Sequence, residues 1–156
     1  MNEKKLLKFA VDYLSKYDSS KKNLFEVLKR KIFRLNLPGL EKSKLINISE
    51  NIIKKLEKYN LIDDNKYCSA KIYSFSRAGK SKNFILNYLI KKGIDKLDIQ
   101  NNFEIFEDSN YNWEFNSAQF FAKKKKLLES SDSYEKKLSK MARAGFSYEI
   151  CKKILN

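Results

Sequence analysis

Residues 78–81 read Ala-Gly-Lys-Ser, the closing letters of the phosphate-binding loop G-x-x-x-x-G-K-[ST], in which backbone N–H groups and a lysine cradle phosphates. That chemistry needs an earlier glycine to let the amides turn inward, and a buried strand leading into the loop. Ser74 stands where the earlier glycine belongs. The preceding segment carries Cys68, Ala70, Ile72, Tyr73 and Phe75 without the alternation of a strand. No later apolar run ends in an Asp that would supply a second magnesium ligand. The same letters fit a junction of two helices, with Gly79 closing one and Ser81 capping the next.

Other chemistry is bounded by what is missing. The 156 residues contain no histidine, which removes histidine acid–base catalysis and every Ser-His or Cys-His nucleophile. The two cysteines, Cys68 and Cys151, lie inside apolar helical patterns and lack C-x-x-C spacing, as buried reduced thiols of a cytoplasmic protein would. Asp63 and Asp64 have no further metal-ligand partners nearby in sequence and suit helix capping. The expectation is a protein that is no enzyme and holds no metal or cofactor. No apolar run is long enough to cross a bilayer, and the first residues lack a signal-peptide pattern.

Charge points to a partner. There are 33 Lys plus Arg against 19 Asp plus Glu, a net +14, which favours polyanions or acidic protein surfaces. Only Arg30, Arg34, Arg77 and Arg143 are arginine; an A+T-rich coding sequence also yields many Lys, Asn and Ile. From Leu97 to Ala122 there is no Lys or Arg, while Asp98, Glu104, Glu107, Asp108 and Glu114 fall there. An acidic waist separates two basic halves.

The elements that would position these residues are helices, since one Pro and four Gly are too few for the turns of an all-β fold. Phe84, Ile85, Leu86, Tyr88, Leu89 and Ile90 leave Asn83, Asn87 and Lys91 as a narrow polar stripe, predicting a mostly buried helix from Ser81 to Gly93. Superposing Ser20, Ser81 and Ser133 brings three apolar sets into register: Phe25, Leu86 and Leu138; Leu28, Leu89 and Met141; Phe33, Ile94 and Phe146. Ile32, Gly93 and Gly145 align one residue before the last set. The spacing predicts tandem three-helix repeats in an all-α fold, with units at 1–62, 63–108 and 109–156 forming an elongated, curved array. Helices are expected near 3–16, 20–34 and 48–59, then 64–78, 81–92 and 95–106, then 113–128, 133–144 and 147–155, with a long loop over 36–47. Trp113, with Tyr111 and Phe115 and beside Phe120 and Phe121, is expected in the core rather than as a base-stacking platform.

With those residues in view, the chain resembles the RecX family of regulatory proteins over almost its whole length. The carrying stretches are Leu61 to Asp64 with Tyr67 and Ala70; Gly79 to Ser81 with Ile85, Leu89 and Lys92-Gly93-Ile94; and Leu138, Ala142-Arg143 and Gly145 to Ser147 with Ile150, Ile154 and Leu155. It departs from the family pattern at Ile32, where a glycine is usual, in the loop over 36–47, and in lysine replacing much of the family's arginine. The resemblance implies a non-enzymatic, monomeric regulator that lies in the groove of the RecA filament on DNA. It would inhibit ATP hydrolysis and strand exchange, and so modulate recombination and the SOS response. DNA would be met directly or through the filament.

The family has no catalytic motif to carry over, so partner-contacting candidates rest on charge and exposure. They are Arg77, Lys80 and Lys82; Lys123, Lys124, Lys125 and Lys126; and Lys136, Lys137, Lys140 and Arg143. On one helix the four consecutive lysines would circle more than a full turn and could not share one partner. Two other readings stand beside the filament regulator: a basic helical DNA-binding protein acting without RecA, and an ATP-binding enzyme built on residues 79–81.

Overall fold

The chain is built as its few turn residues require, entirely from helices. The computed structural model describes residues 1–156 and places nine helices in order: α1 Glu3–Lys16, α2 Lys21–Phe33, α3 Gly39–Lys58, α4 Asp64–Arg77, α5 Lys82–Lys91, α6 Lys96–Ser109, α7 Trp113–Lys124, α8 Tyr134–Arg143 and α9 Tyr148–Leu155. Most starts carry a side-chain cap. The hydroxyls of Ser20, Ser81, Ser133 and Ser147 accept from the backbone N–H three residues on, and Asn2 does the same for α1, satisfying an amide that has no partner inside the helix. The Asp63 carboxylate accepts from Asn65 and Lys66 N–H.

Helix ends follow a second rule. Gly79, Gly93 and Gly145 have φ of +81°, +80° and +97°, the left-handed conformation that closes a helix by returning a later amide to a carbonyl of its last turn. The returning amides are Lys80 to Phe75, Ile94 to Leu89 and Phe146 to Met141. Asn60 (φ 59°) and Lys126 (φ 55°) close α3 and α7 in the same way without glycine.

Two boundaries differ from the sequence expectation by four residues or more. α3 starts at Gly39 rather than near Ile48, so most of the loop expected over 36–47 is helical. Pro38 cannot continue a helix from behind but holds φ at −57° just before one, and Leu45 joins Ser49, Ile52, Ile53 and Leu56 on the buried face. At the other end, α7 stops at Lys124 instead of Leu128 because Lys126 turns left-handed and Leu127 N–H returns to Ala122. Phe33, aligned with buried residues in the sequence register, is 55% exposed: α2 ends in right-handed Arg34, with no glycine to swing the following apolar residue back onto the helix.

Two compact units result, residues 1–67 and 68–156. In the first, Leu6, Ala10, Leu24, Leu28, Ile32, Ile52 and Leu56 form the centre of the core. In the second, Ala118, Ala122, Leu127, Met141, Phe146, Cys151 and Ile154 form one cluster, while Ile85, Leu89, Ile99 and Phe103 are also buried. Trp113 is buried, stacked on Phe103 with ring centroids 6.2 Å apart and edge-on to Phe106 at 5.7 Å, the core role expected of it, whereas Tyr111 and Phe120 are exposed against that expectation. α5 is less enclosed than expected, with Phe84 and Ile90 surfacing beside the polar stripe. No helix is long and apolar enough to cross a membrane.

The glycine caps set up a direct test. A Cβ on Gly145 would collide with Ser81 Oγ, whereas one on Gly39 would meet nothing within 4 Å. Gly145→Ala is expected to destabilise the chain by about 1–3 kcal/mol and Gly39→Ala to leave stability within about 1 kcal/mol. Urea denaturation followed by circular dichroism measures both, and equal effects would remove the steric account.

Candidate functional site

The Ala-Gly-Lys-Ser segment is a helix junction. Gly79 ends α4 and Ser81 starts α5, so no strand leads into Lys80 and the backbone is not a phosphate-binding loop. Its amides are already used: Lys80 N–H goes to Phe75 O and Lys82 N–H to the Glu114 carboxylate at 2.8 Å. The Lys80 carbonyl accepts from Ser117 Oγ at 2.7 Å. Ser81 Oγ donates to Ala144 O at 2.7 Å while accepting from Phe84 N–H, and one serine thereby caps the end of α8 and the start of α5. A Gly79 Cβ would lie 2.9 Å from a Phe120 ring carbon and 3.3 Å from the Phe121 backbone nitrogen, so the close approach of α7 also depends on glycine.

What the turn does position is side chains. The ends of α4, α7 and α8 meet around a cleft of about 300 Å³ lined by Lys80, Lys124, Lys125 and Arg143, with Phe84 and Phe121 as its apolar walls and no carboxylate in its lining. Lys80 Nζ sits 4.6 Å from the centre of the Phe84 ring. Arg143 Nε makes a long bond to Ser139 O, 3.4 Å. Phe84 packs against Phe75 and Tyr88, and Phe121 against Phe146.

The other sequence candidates go elsewhere. Lys123 and Lys126 line a second cleft, about 530 Å³, with Phe120, Glu129 and Lys153. The left-handed turn at Lys126 splits the lysine run between two clefts. Arg77 lies on the Tyr73 ring at 4.4 Å and borders a third hollow with Trp113 and the 94%-exposed Tyr111. Lys136 is exposed and Lys137 half-buried on α8. Lys140 is ion-paired with Asp132 at 2.9 Å, which holds that carboxyl below its ordinary range.

Lys82 has an internal task that charge counting missed. Its ammonium meets Glu107 Oε1 at 2.8 Å while its amide meets Glu114. In the first unit, the Lys21 ammonium meets Glu57 at 2.6 Å and its amide meets Asp64 at 2.9 Å. In both places the lysine follows a capping serine, and the second carboxylate comes seven residues after the first. That matched spacing was the available signal; apolar register alone could not find it. The carboxylates differ in strength. Burial pushes the Asp64 carboxyl up despite the Lys21 amide. At Glu107 burial also opposes the charge, but hydrogen bonds from Lys82 and from Trp113 Nε1 (3.0 Å) prevail and lower it.

Neither thiol is prepared for chemistry: Cys68 and Cys151 are buried, and burial pushes the Cys151 thiol up, away from the thiolate. No three His, Cys, Asp or Glu side chains gather as a metal site would need.

Glu107 supplies a pH prediction. A carboxyl lowered in the fold contributes stability above its unfolded value, near 4.5, and loses it as pH falls through the folded value. Glu107→Gln is expected to cost about 0.5–1 kcal/mol at neutral pH, discounted for the pair's exposure, with wild type and variant converging as the solution is acidified below 4.5. Melting temperatures across pH measure it, and a gap independent of pH would count against the ion pair.

No protein-family model matches the chain. Individual proteins do. The regulatory protein RecX of Myxococcus xanthus is 27% identical over 155 residues, spanning 94% of this chain and 82% of its own length. The regulatory protein RecX of Clostridioides difficile is 29% identical over 152 residues, spanning 94% of this chain and 65% of its own length. The crystal structure of RecX from Lactobacillus salivarius superposes with a TM-score of 0.69 at 25% identity, covering 98% of this chain and 94% of that one. Another RecX regulatory protein structure shares the fold, with a TM-score of 0.71 at 22% identity. In sequence and in fold, through nearly all 156 residues, the chain is similar to the RecX regulatory proteins.

Proposed function

We propose that the chain is a regulator of the RecA recombinase, binding the RecA filament on DNA and inhibiting its ATP hydrolysis and strand exchange, and so modulating recombination and the SOS response. The observation that carries this reading is the likeness to RecX regulatory proteins over 94% of the chain. A regulator acts by binding, and the chain's chemistry suits that role. Its cations line open clefts, its thiols are buried, and Ala78 to Ser81 serve as helix caps rather than a nucleotide loop. The filament offers both protein surface and DNA phosphates, and a net charge of +14 favours approach to it. Three successive helical repeats, residues 1–62, 63–108 and 109–156, remain our reading of the architecture. The matched lysine–carboxylate junctions at Ser20 and Ser81 support the first two.

The reading is tested by titrating the chain into its cognate RecA hydrolysing ATP on single-stranded DNA, with binding to the same DNA measured in the absence of RecA. Inhibition at substoichiometric protein, under salt where naked DNA is bound weakly, is expected. Inhibition only to the extent that competition for bare DNA explains would instead make the chain a basic DNA-binding protein that works without RecA.

A further inference from the structure

The cleft between the ends of α4, α7 and α8 has an electrostatic composition that its structural duties leave unexplained. Basic residues in a last turn ordinarily offset the negative end of the helix. Here the terminal carbonyls already have donors. Phe75 O accepts from Ala78 and Lys80 N–H, Phe121 O from Lys125 N–H, Lys80 O from Ser117 and Ala144 O from Ser81. Lys80, Lys124, Lys125 and Arg143 nevertheless converge on one space of about 300 Å³ with no acidic lining residue. Like charges around one cleft repel unless an anion sits among them.

We propose that this cleft is a phosphate site, taking adjacent phosphate groups of a nucleic-acid strand or of a polyphosphate chain through side chains alone. Three lysines and one arginine line it from three helix ends, which suits oxygens arranged tetrahedrally around phosphorus better than the single plane of a carboxylate. Backbone amides contribute little, because those of the turn are occupied within the protein. The site reads phosphate and not bases: Lys80 lies over the Phe84 ring while Phe75 and Tyr88 pack against it, leaving it a poor stacking platform. The inference stands apart from the recombinase reading, since it needs no second protein.

The test uses the full chain without RecA, with tripolyphosphate followed by calorimetry and a fluorescent oligo-dT followed by anisotropy. The variants are Lys124→Ala/Lys125→Ala and, separately, Arg143→Ala. Lys54→Ala/Lys55→Ala is the charge-matched control on the exposed face of α3. Melting temperatures establish that each is folded, and Lys80→Gln provides a further variant should either cleft change disturb the helix ends. The cleft variants are expected to weaken tripolyphosphate binding roughly tenfold or more while the control changes little. For the oligonucleotide, removing two cations is expected to lower the slope of log affinity against log salt by about 1.4. Displacement of tripolyphosphate by oligo-dT identifies a strand as the occupant. Cleft-dependent tripolyphosphate binding that oligo-dT does not displace identifies a free polyphosphate. Equal losses in the control, or equally tight cleft-dependent binding of a poly-glutamate peptide of matched charge, would overturn the phosphate site.

Discussion

The second unit depends on one contact between residues 63 positions apart, the Ser81 hydroxyl donating to the carbonyl of Ala144. The approach needs glycine at 145, where φ is +97° and a Cβ would collide with Ser81 Oγ. Two helix ends with opposite needs are satisfied together: α8 has carbonyls without donors and α5 has amides without acceptors. Ser81 is fully buried, so its hydroxyl could not turn to water if the carbonyl were removed, and an unmet polar group of this kind costs about 1–3 kcal/mol. Once these termini are pinned, α7 must pass close to Gly79, and Ser117 on α7 takes the Lys80 carbonyl. The basic cleft is a consequence of that convergence. Its four cations stand on three helices whose ends have nowhere else to go.

Polar junctions recur where apolar packing is least specific. Helices that share an amphipathic pattern can slide by a turn with little loss of buried area, because leucine and isoleucine offer no directional contact. A lysine whose amide meets one carboxylate while its ammonium meets another has no such freedom. Lys21 with Glu57 and Asp64, and Lys82 with Glu107 and Glu114, each fix the start of one helix against two others. At half-exposed positions such pairs add modest stability. Their larger effect is on register, since one residue of slip would leave the lysine and both carboxylates without partners.

Much of this was legible before any coordinates. Serines ahead of amphipathic runs marked helix starts because the cap is a local, single-residue interaction, and glycines at 79, 93 and 145 marked ends because the left-handed cap is equally local. Errors arose where a residue without the usual signature took the same role. Lys126 adopts the glycine conformation and ends α7 early, while Pro38 opens α3 nine residues before the expected start. The candidate cations were harder to sort. Charge and spacing cannot tell Lys82, whose ammonium is held by Glu107, from Lys124, which lines an open cleft. That difference is set by a carboxylate 25 residues away in one case and by a turn at Lys126 in the other.

Net charge is therefore a poor measure of what the protein presents to a partner. Of the eleven candidate cations, Lys82 and Lys140 are neutralised by Glu107 and Asp132, and Arg77 rests on Tyr73. Lys123 and Lys126 share their cleft with Glu129. What remains concentrated is small, four side chains around one cleft, and concentration matters more than the sum because screening suppresses charges farther apart than about 8–10 Å at ordinary ionic strength. A diffuse +14 would attract any polyanion weakly and lose that attraction in salt. Lys80 over the Phe84 ring and Arg143 bonded to the Ser139 carbonyl have already lost part of the conformational freedom that binding would otherwise cost. Rigidity made by Ser81, Ser117 and Gly79, residues that carry no charge at all, is what turns a generally basic chain into one with a defined anionic address.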